Sequence, residues 1–515
     1  MKSLKNNWQL ILFNTIIIAT FILCYGHFGD IIVDSFREAY IPAEILNGQA
    51  LYKNIFTIYA PLSYLINALL FLVFGVHLKV LYFAGLAATY GILNLVFAIA
   101  NRFMNKTYAL SIVLFIISVS VLSPNVFNFY FPYSFGILYG LLFILASIYF
   151  ALKNKFQLAY LMYSFAICTK YEFIFLLPLL FYVTRTQALW KNLLALIIPV
   201  IISYTPLFFM GVTFNDIMTS FQLIIAMSAT KTIYWFYSVM GLTFRWELIP
   251  IYLMNFLKIA IPLLFMYYFR SWWLIILTII YFYFIVSPEL FVFAFPFILI
   301  MMAFKFSTLS SEKLFFILAS LLISMKIFFA LTFMSYGVFF IPFALISIFI
   351  LIPPRFKKSF FIILLICALN FGIKNSTSLL SKNVKIQTER GTIYTYEKSV
   401  KEIVNFIENN THAQDRVVVY PEGLAINFLS ARTSDDKFYS LIPLYVETFG
   451  EDLILKRLDL IKPEYIILSN YNTSNYYFSF FGQDYAGEIY SYVLRNYSLE
   501  KEFGKNLRFM VYKRI

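Results

Sequence analysis

The chain has 515 residues, of which 61% are hydrophobic, 21% aromatic and only 13% charged. A soluble globular domain carries about 45–50% apolar and about 25% charged residues, so an ordinary soluble enzyme is excluded. The net charge of +14 does not point to nucleic acid, because Lys and Arg punctuate the apolar runs. That pattern suits the positive-inside rule and contact with anionic lipids. Cys24, Cys168 and Cys367 lie far apart in apolar segments and offer neither a metal spacing nor a disulfide framework.

In chain order, the first apolar run is Trp8 to Tyr25, behind Lys2 and Lys5. It is long and lacks a small-x-small cleavage site before Gly26, so it reads as a retained anchor with a cytoplasmic N-terminus. Residues 27–60 are then outside. They bring Asp34, Arg37, Glu38 and Glu44 together at the mouth of a membrane domain. Charges there cost free energy unless they face water or a site, which makes them functional candidates. Pro61–Phe74 is apolar but too short to span, and reads as a helix lying at the outer interface.

Basic clusters set the remaining topology. Cytoplasmic turns are expected at Arg102/Lys106, Lys153/Lys155, Arg185/Lys191, Arg270, Lys305/Lys313 and Arg355/Lys357/Lys358. The stretches 157–184 and 272–304 begin and end at such turns, so each must go in and come back. The first has roughly 14 residues per arm, about 21 Å, and its tip is Lys170-Tyr171-Glu172. Counting each hairpin as two gives about 13 transmembrane helices, an odd number, which puts the C-terminus outside.

After residue 375 the apolar pattern breaks up. Arg416–Tyr420 and Tyr465–Leu468 read as buried parallel strands, preceded by amphipathic helices over Ser399–Asn410 and Glu451–Ile461. The fold class is therefore a polytopic α-helical membrane protein followed by a small extracytoplasmic α/β domain. Residues 1–375 form the membrane domain, with outer loop 27–60 and interfacial helix 61–75; residues 376–515 form the soluble domain. Val419–Gly423 is a strand end plus turn, where ligands often bind in α/β folds, but an ordinary turn is the favoured reading.

A carboxylate at the outer face can take a proton from an acceptor hydroxyl or amine as it attacks an activated sugar carbon. A lipid phosphate would leave, and cations must stabilise it. Asp34 supplies the base; Arg37, Lys53, Lys170 and Lys326 supply phosphate-binding cations; Glu38, Glu172 and Tyr133 are acceptor-side or accessory groups. Each has a plainer reading. Asp34 could cap a helix starting at Ser35, Arg37 and Glu38 could merely pair, and Lys53 could be a solvated loop charge. Lys170 could snorkel, and Lys326 could pair with Glu289.

The first loop resembles the C-type integral-membrane glycosyltransferases, near the protein O-mannosyltransferase and aminoarabinose-transferase group. Asp34-Ser35-Phe36-Arg37 matches the Asp-x-x-Arg element, and Ile45-Leu46-Asn47-Gly48-Gln49-Ala50-Leu51-Tyr52 the turn that follows. Pro61-Leu62-Ser63-Tyr64 opens and Phe74-Gly75 closes the interfacial helix, and Thr169-Lys170 matches the family's threonine-lysine element. The resemblance implies inverting transfer from a polyprenyl-phosphate sugar at the outer leaflet to a glycan, lipid or protein, with Asp34 as base. It departs from the family in having Ser35 where Glu is common, Ala60 where some members have Lys, and no acidic residue in 124–133. No Asp-x-Asp metal ligands are evident, so metal-independent chemistry without a cofactor is expected. Competing readings are a flippase or transporter for lipid-linked sugars, an O-antigen-type polymerase or ligase, and a scaffold protein. Transporters show repeated halves and midplane breaks, which are not evident here. The expected location is a bacterial inner membrane, with the C-terminal domain periplasmic or extracellular.

Overall fold

The structure, a computed structural model, describes residues 8–32, 34–124, 127–185, 189–239, 249–269, 272–284, 295–324 and 339–515. The chain opens with α1 (Trp8–Leu23), α2 (Arg37–Leu46) in the first loop and α3 (Leu62–Phe74). Pro42 lies inside α2 and cannot donate to the Glu38 carbonyl; Asn67 Nδ2 of α3 reaches that oxygen instead, at 3.5 Å. This ties the two helices together. α3 ends at Gly75, whose φ of +87° and N–H to Phe71 O close the helix.

Next come α4 (Leu78–Phe103), α5 (Lys106–Ile116), which runs into a π-turn at Ile117–Val121, and α6 (Phe135–Leu152). The expected hairpin is formed by α7 (Phe156–Thr169), a 3-10 turn at Tyr171–Leu176 and α8 (Leu177–Thr184). Tyr160 Oη lies 2.7 Å from Thr184 Oγ1, so the second arm does return to the start of the first. Then follow α9 (Leu189–Phe209), α10 (Phe214–Ser228), α11 (Lys231–Val239), α12 (Ile249–Phe269), α13 (Trp272–Phe284), α14 (Phe295–Lys305), α15 (Ser311–Ile323), α16 (Ile341–Leu351) and α17 (Pro354–Leu380). Among the described residues four helices, α4, α6, α9 and α17, are long and apolar enough to cross a membrane, while other apolar helices are shorter. That is short of the thirteen spans implied by the basic turns.

α10 and α11 had no counterpart in the sequence reading. A capping box starts α10: Thr213 Oγ1 accepts from Asp216 N at 3.2 Å, and Asp216 accepts from Thr213 N at 2.8 Å. α17 continues past residue 375, so regular structure of the soluble part begins with the hairpin β1 (Val384–Thr388) and β2 (Gly391–Thr395). After it come α18 (Lys398–Asn410), β3 (Val417–Tyr420), α19 (Leu424–Leu429), α20 (Pro443–Phe449), α21 (Glu451–Ile461), β4 (Tyr465–Ser469), α22 (Gly487–Asn496), β5 (Tyr497–Phe503) and β6 (Phe509–Arg514). The four-stranded sheet has the order β3-β4-β6-β5. β3 and β4 are parallel, with Val417 opposite Tyr465, whereas β6 is antiparallel to both neighbours. β3 and β4 are buried along their whole length, as their unbroken apolar runs require. Most of β5 faces water, which is why its polar sequence carries no strand signal.

The soluble domain sits on the first loop. Tyr40 Oη accepts from Ser434 N at 2.8 Å, Thr433 Oγ1 donates to Glu44 at 2.6 Å, and Gln49 Nε2 donates to Asp435 at 2.9 Å. The start of α4 is on this side too, since Leu78 N donates to Arg390 O. The 26 residues of α4 then lead to Arg102 at the other end, about 39 Å away. There Arg102 pairs with Glu312, and Lys305 Nζ donates to Leu351 O. The first loop and the C-terminal domain thus share one side, and these basic turns lie on the opposite one.

Candidate active site

Asp34 stands just ahead of α2 in a left-handed backbone conformation, with φ +57°. That region is uncommon for any residue with a Cβ, is best tolerated by Asn and Asp, and concentrates at functional sites. The turn before it is shaped by Asp30, whose Oδ1 accepts from Ile32 N at 2.7 Å, while Asp30 N donates to Ser35 Oγ. The capping alternative for Asp34 does not hold. α2 starts at Arg37, its N-cap Phe36 makes no side-chain cap bond, and the Asp34 carboxylate accepts from Arg37 Nη1 at 2.7 Å.

Arg37 is buried, and its planar head is used on three sides. Besides Asp34, Nη2 donates to Tyr133 O at 3.1 Å and Nε faces Glu38 at 3.5 Å. Glu38 is fully buried. It accepts from Phe135 N at 2.8 Å, the first amide of α6, where the helix dipole favours a negative charge. Burial nevertheless pushes its carboxyl up to about 7, against the opposing pull of Arg37 and the Phe135 amide.

The hairpin tip supplies the second cation. Gly136 and Gly140 of α6 face Thr169; a Cβ on Gly136 would meet Thr169 O at 2.9 Å. This close approach sets the tip against α6. Lys170 is buried, with Nζ 2.9 Å from Tyr133 Oη and 3.4 Å from Glu172. The Tyr59 ring lies between the two cations, 4.8 Å from Arg37 Cζ and 5.6 Å from Lys170 Nζ.

These groups meet in a cavity of about 340 Å³. Asp34, Arg37, Tyr59, Lys170 and Glu172 are among the residues of its polar lining. Ile224 and Met227 of α10, Ile233 and Phe236 of α11, and Ile442 and Leu444 of the soluble domain provide its apolar lining. α11 is held to the soluble domain by Glu447, which accepts from Lys231 N and Thr232 N at 3.1 Å each. A polar lining that holds two cations, joined to an apolar one, suits a ligand with an anionic head and a hydrocarbon tail.

Of the residues expected from sequence, Asp34, Arg37, Lys170 and Glu172 line the cavity. Tyr133 stands behind it, as the partner of Arg37 and Lys170. Glu38 also lies behind it, holding Arg37 and the start of α6. Lys53 is elsewhere: it is exposed and donates to Gly211 O at 3.0 Å. It is a loop tether, and Lys53→Ala is expected to leave sugar transfer within about twofold of wild type, as a comparison of initial rates would show. Lys326 and its alternative partner Glu289 fall outside the described residues. Among the described residues no group of three or more His, Cys, Asp or Glu side chains is placed to hold a metal ion.

One residue was missed. Glu422, from the turn after β3, lines the same cavity as Asp34. Its signal in the sequence is the strand end at Val419–Gly423, a feature that an ordinary turn shares.

No family model matches this chain, and no curated protein matches it. A solved structure is similar over its whole length: the crystal structure of ArnT from Cupriavidus metallidurans bound to undecaprenyl phosphate. The match covers 99% of this chain and 98% of that one, with 12% identity and a TM-score of 0.44.

Proposed function

We propose that this chain is a membrane glycosyltransferase that moves a sugar from a polyprenyl-phosphate donor to an acceptor, on the membrane face shared by the first loop and the C-terminal domain. The observation that carries this reading is the convergence of Asp34, Arg37 and Lys170 on a cavity that also has an apolar wall from α10, α11 and the soluble domain. Arg37 and Lys170 hold the donor phosphate, with Tyr59 between them. The prenyl chain lies along α10 and α11. Asp34 takes the proton from the acceptor O–H or N–H as that atom forms its bond to the sugar C1. The C1–O bond to phosphate breaks on the opposite face, and its electron pair leaves on the phosphate oxygen, giving polyprenyl phosphate and inversion at C1. The basic turns at the far end favour a cytoplasmic location for that end, so the site faces outward.

The test is sugar transfer by the purified protein in lipid, with a panel of radiolabelled polyprenyl-phosphate sugars and crude envelope acceptors. Transfer is expected, and Lys170→Met should weaken half-saturation by the donor about tenfold or more, because a buried cation facing the phosphate is lost. Movement of labelled lipid between leaflets without transfer would replace this reading with that of a flippase.

A further inference from the structure

Two cavities flank the first loop. The first holds Asp34, Arg37 and Lys170; the second, of about 530 Å³, lies between the first loop and the soluble domain. Ile32 borders both. The second is lined by Asp30 and by amides and phenols, among them Asn470, Asn472, Tyr394 and Tyr471. Its one lysine, Lys382, is committed: Nζ donates to His27 O at 3.0 Å and to Gly29 O at 2.9 Å. Amides, phenols and two carboxyl groups, Asp30 and Glu397, without an available cation suit hydroxyl groups better than phosphates.

Glu422 stands where the two cavities approach each other. It lines the first, and the charge it feels most strongly is that of Asp34, followed by Arg37 and Asp30. Tyr471 of the second cavity in turn feels Glu422, Asp30 and Asp34. Ser440 Oγ donates to Glu422 Oε1 at 3.5 Å, and the Ser440 hydroxyl and Leu441 N both bond Pro421 O, which fixes the turn.

We infer that Glu422, carried into the site by the C-terminal domain, hydrogen-bonds an uncharged, hydroxyl-bearing glycan acceptor that reaches Asp34 from the second cavity. This rests on the glycosyl-transfer reading and adds to it the acceptor class, its route and a role for the soluble domain. The electrostatics agree. Burial, reinforced by the Asp34 charge, pushes the Glu422 carboxyl up to about 8. At neutral pH it is therefore an O–H donor beside Asp34, two carboxyl groups with separate tasks. The groups facing it are Asp34, Asp30 and Arg37 from the first loop, Ser440 from the loop before α20, and the Tyr471 and Tyr485 phenols from the loops after β4. Above about pH 8 Glu422 ionises, loses its donor hydrogen and opposes Asp34.

The experiment is the transfer assay with a labelled polyprenyl-phosphate sugar and an envelope glycan extract, varying each in turn, for wild type, Glu422→Ala and Glu422→Gln. Glu422→Ala is expected to raise the half-saturating acceptor concentration about tenfold or more, with the donor value within about twofold. Glu422→Gln keeps a donor N–H in the same shape. It should transfer faster than Glu422→Ala at neutral pH and keep its rate at alkaline pH, where the wild-type rate falls through about 8. A shift in the donor value instead of the acceptor value would overturn the assignment. So would an alkaline fall that survives in Glu422→Gln, a measurement that stands even if Glu422→Ala does not fold. Wild-type transfer with both variants unchanged removes Glu422 alone, whereas no wild-type transfer from any donor removes the glycosyl-transfer reading itself.

Discussion

Asp34→Asn is expected to abolish sugar transfer, by about a thousandfold or more, while the protein stays folded. Loss of a positioned general base typically costs 10²–10⁴ in rate. The amide keeps the shape of the carboxylate but cannot accept the acceptor's proton. Asn is also one of the residues that tolerate the left-handed backbone found here, φ +57°, so the loop has no steric reason to rearrange. The lost bond to Arg37 is the one structural cost, and the Asp34 side chain is 32% exposed, which limits it. Thermal unfolding in the same lipid should therefore change little. Transfer by Asp34→Asn at the wild-type rate would reject Asp34 as base. The carboxyls left in the cavity, Glu172 and Glu422, would then be the groups to test.

Legibility of this fold followed from how each residue earns its place. Helices that pack in lipid or in a buried core need long apolar runs, so α4, α6, α9 and α17 could be placed from sequence alone. The hairpin at α7–α8 could be placed too, because basic residues bracket it and its tip is polar. β3 and β4 were visible because a strand buried on both faces has no polar alternation to obscure it. α10 and α11 were not assigned, since one side of each meets the cavity or the soluble domain and the rest is mixed. At the site, Asp34, Arg37, Lys170 and Glu172 stood out because a charge next to an apolar wall is costly and therefore conspicuous. Glu422 was hidden for the opposite reason. It sits in a soluble-type segment, where a glutamate is ordinary, and only the docking of Tyr40, Glu44 and Gln49 against residues 433–435 brings that segment over the cavity. Lys53 misled in turn. Its place near the loop's other charges suggested the site, but chain direction carries its amine to Gly211 O.

The second large effect is expected at Arg37, and it separates charge from shape. Arg37→Lys keeps the positive charge but replaces three differently aimed nitrogens with one. A single ammonium cannot span Asp34, the Tyr133 carbonyl and Glu38 as the guanidinium does. Transfer should fall about a hundredfold, mainly through loss of the phosphate contact and of the register of Asp34. Arg37→Met removes the charge as well and leaves Glu38 buried without its cation, a change that costs about 3–5 kcal/mol when an unpaired charge stays behind. Glu38 already holds its proton up to about 7 because burial disfavours the anion, and without Arg37 it will hold it further. An acid whose carboxyl is raised in the folded state binds more protons folded than unfolded, so stability falls as pH rises from its unfolded value through its folded one. Arg37→Met should accordingly be close to wild type in stability under acidic conditions and lose ground steadily through and above neutral pH. Glu38→Gln in the same chain removes the group that has to ionise. The double variant Arg37→Met/Glu38→Gln should therefore recover most of the stability at neutral pH without recovering transfer. Thermal unfolding and transfer, each measured across pH for the single and double variants, give both results. A double variant that remained as unstable as Arg37→Met would show that Arg37 supports the loop through Tyr133 and Tyr59, and that the buried Glu38 charge is not the cause.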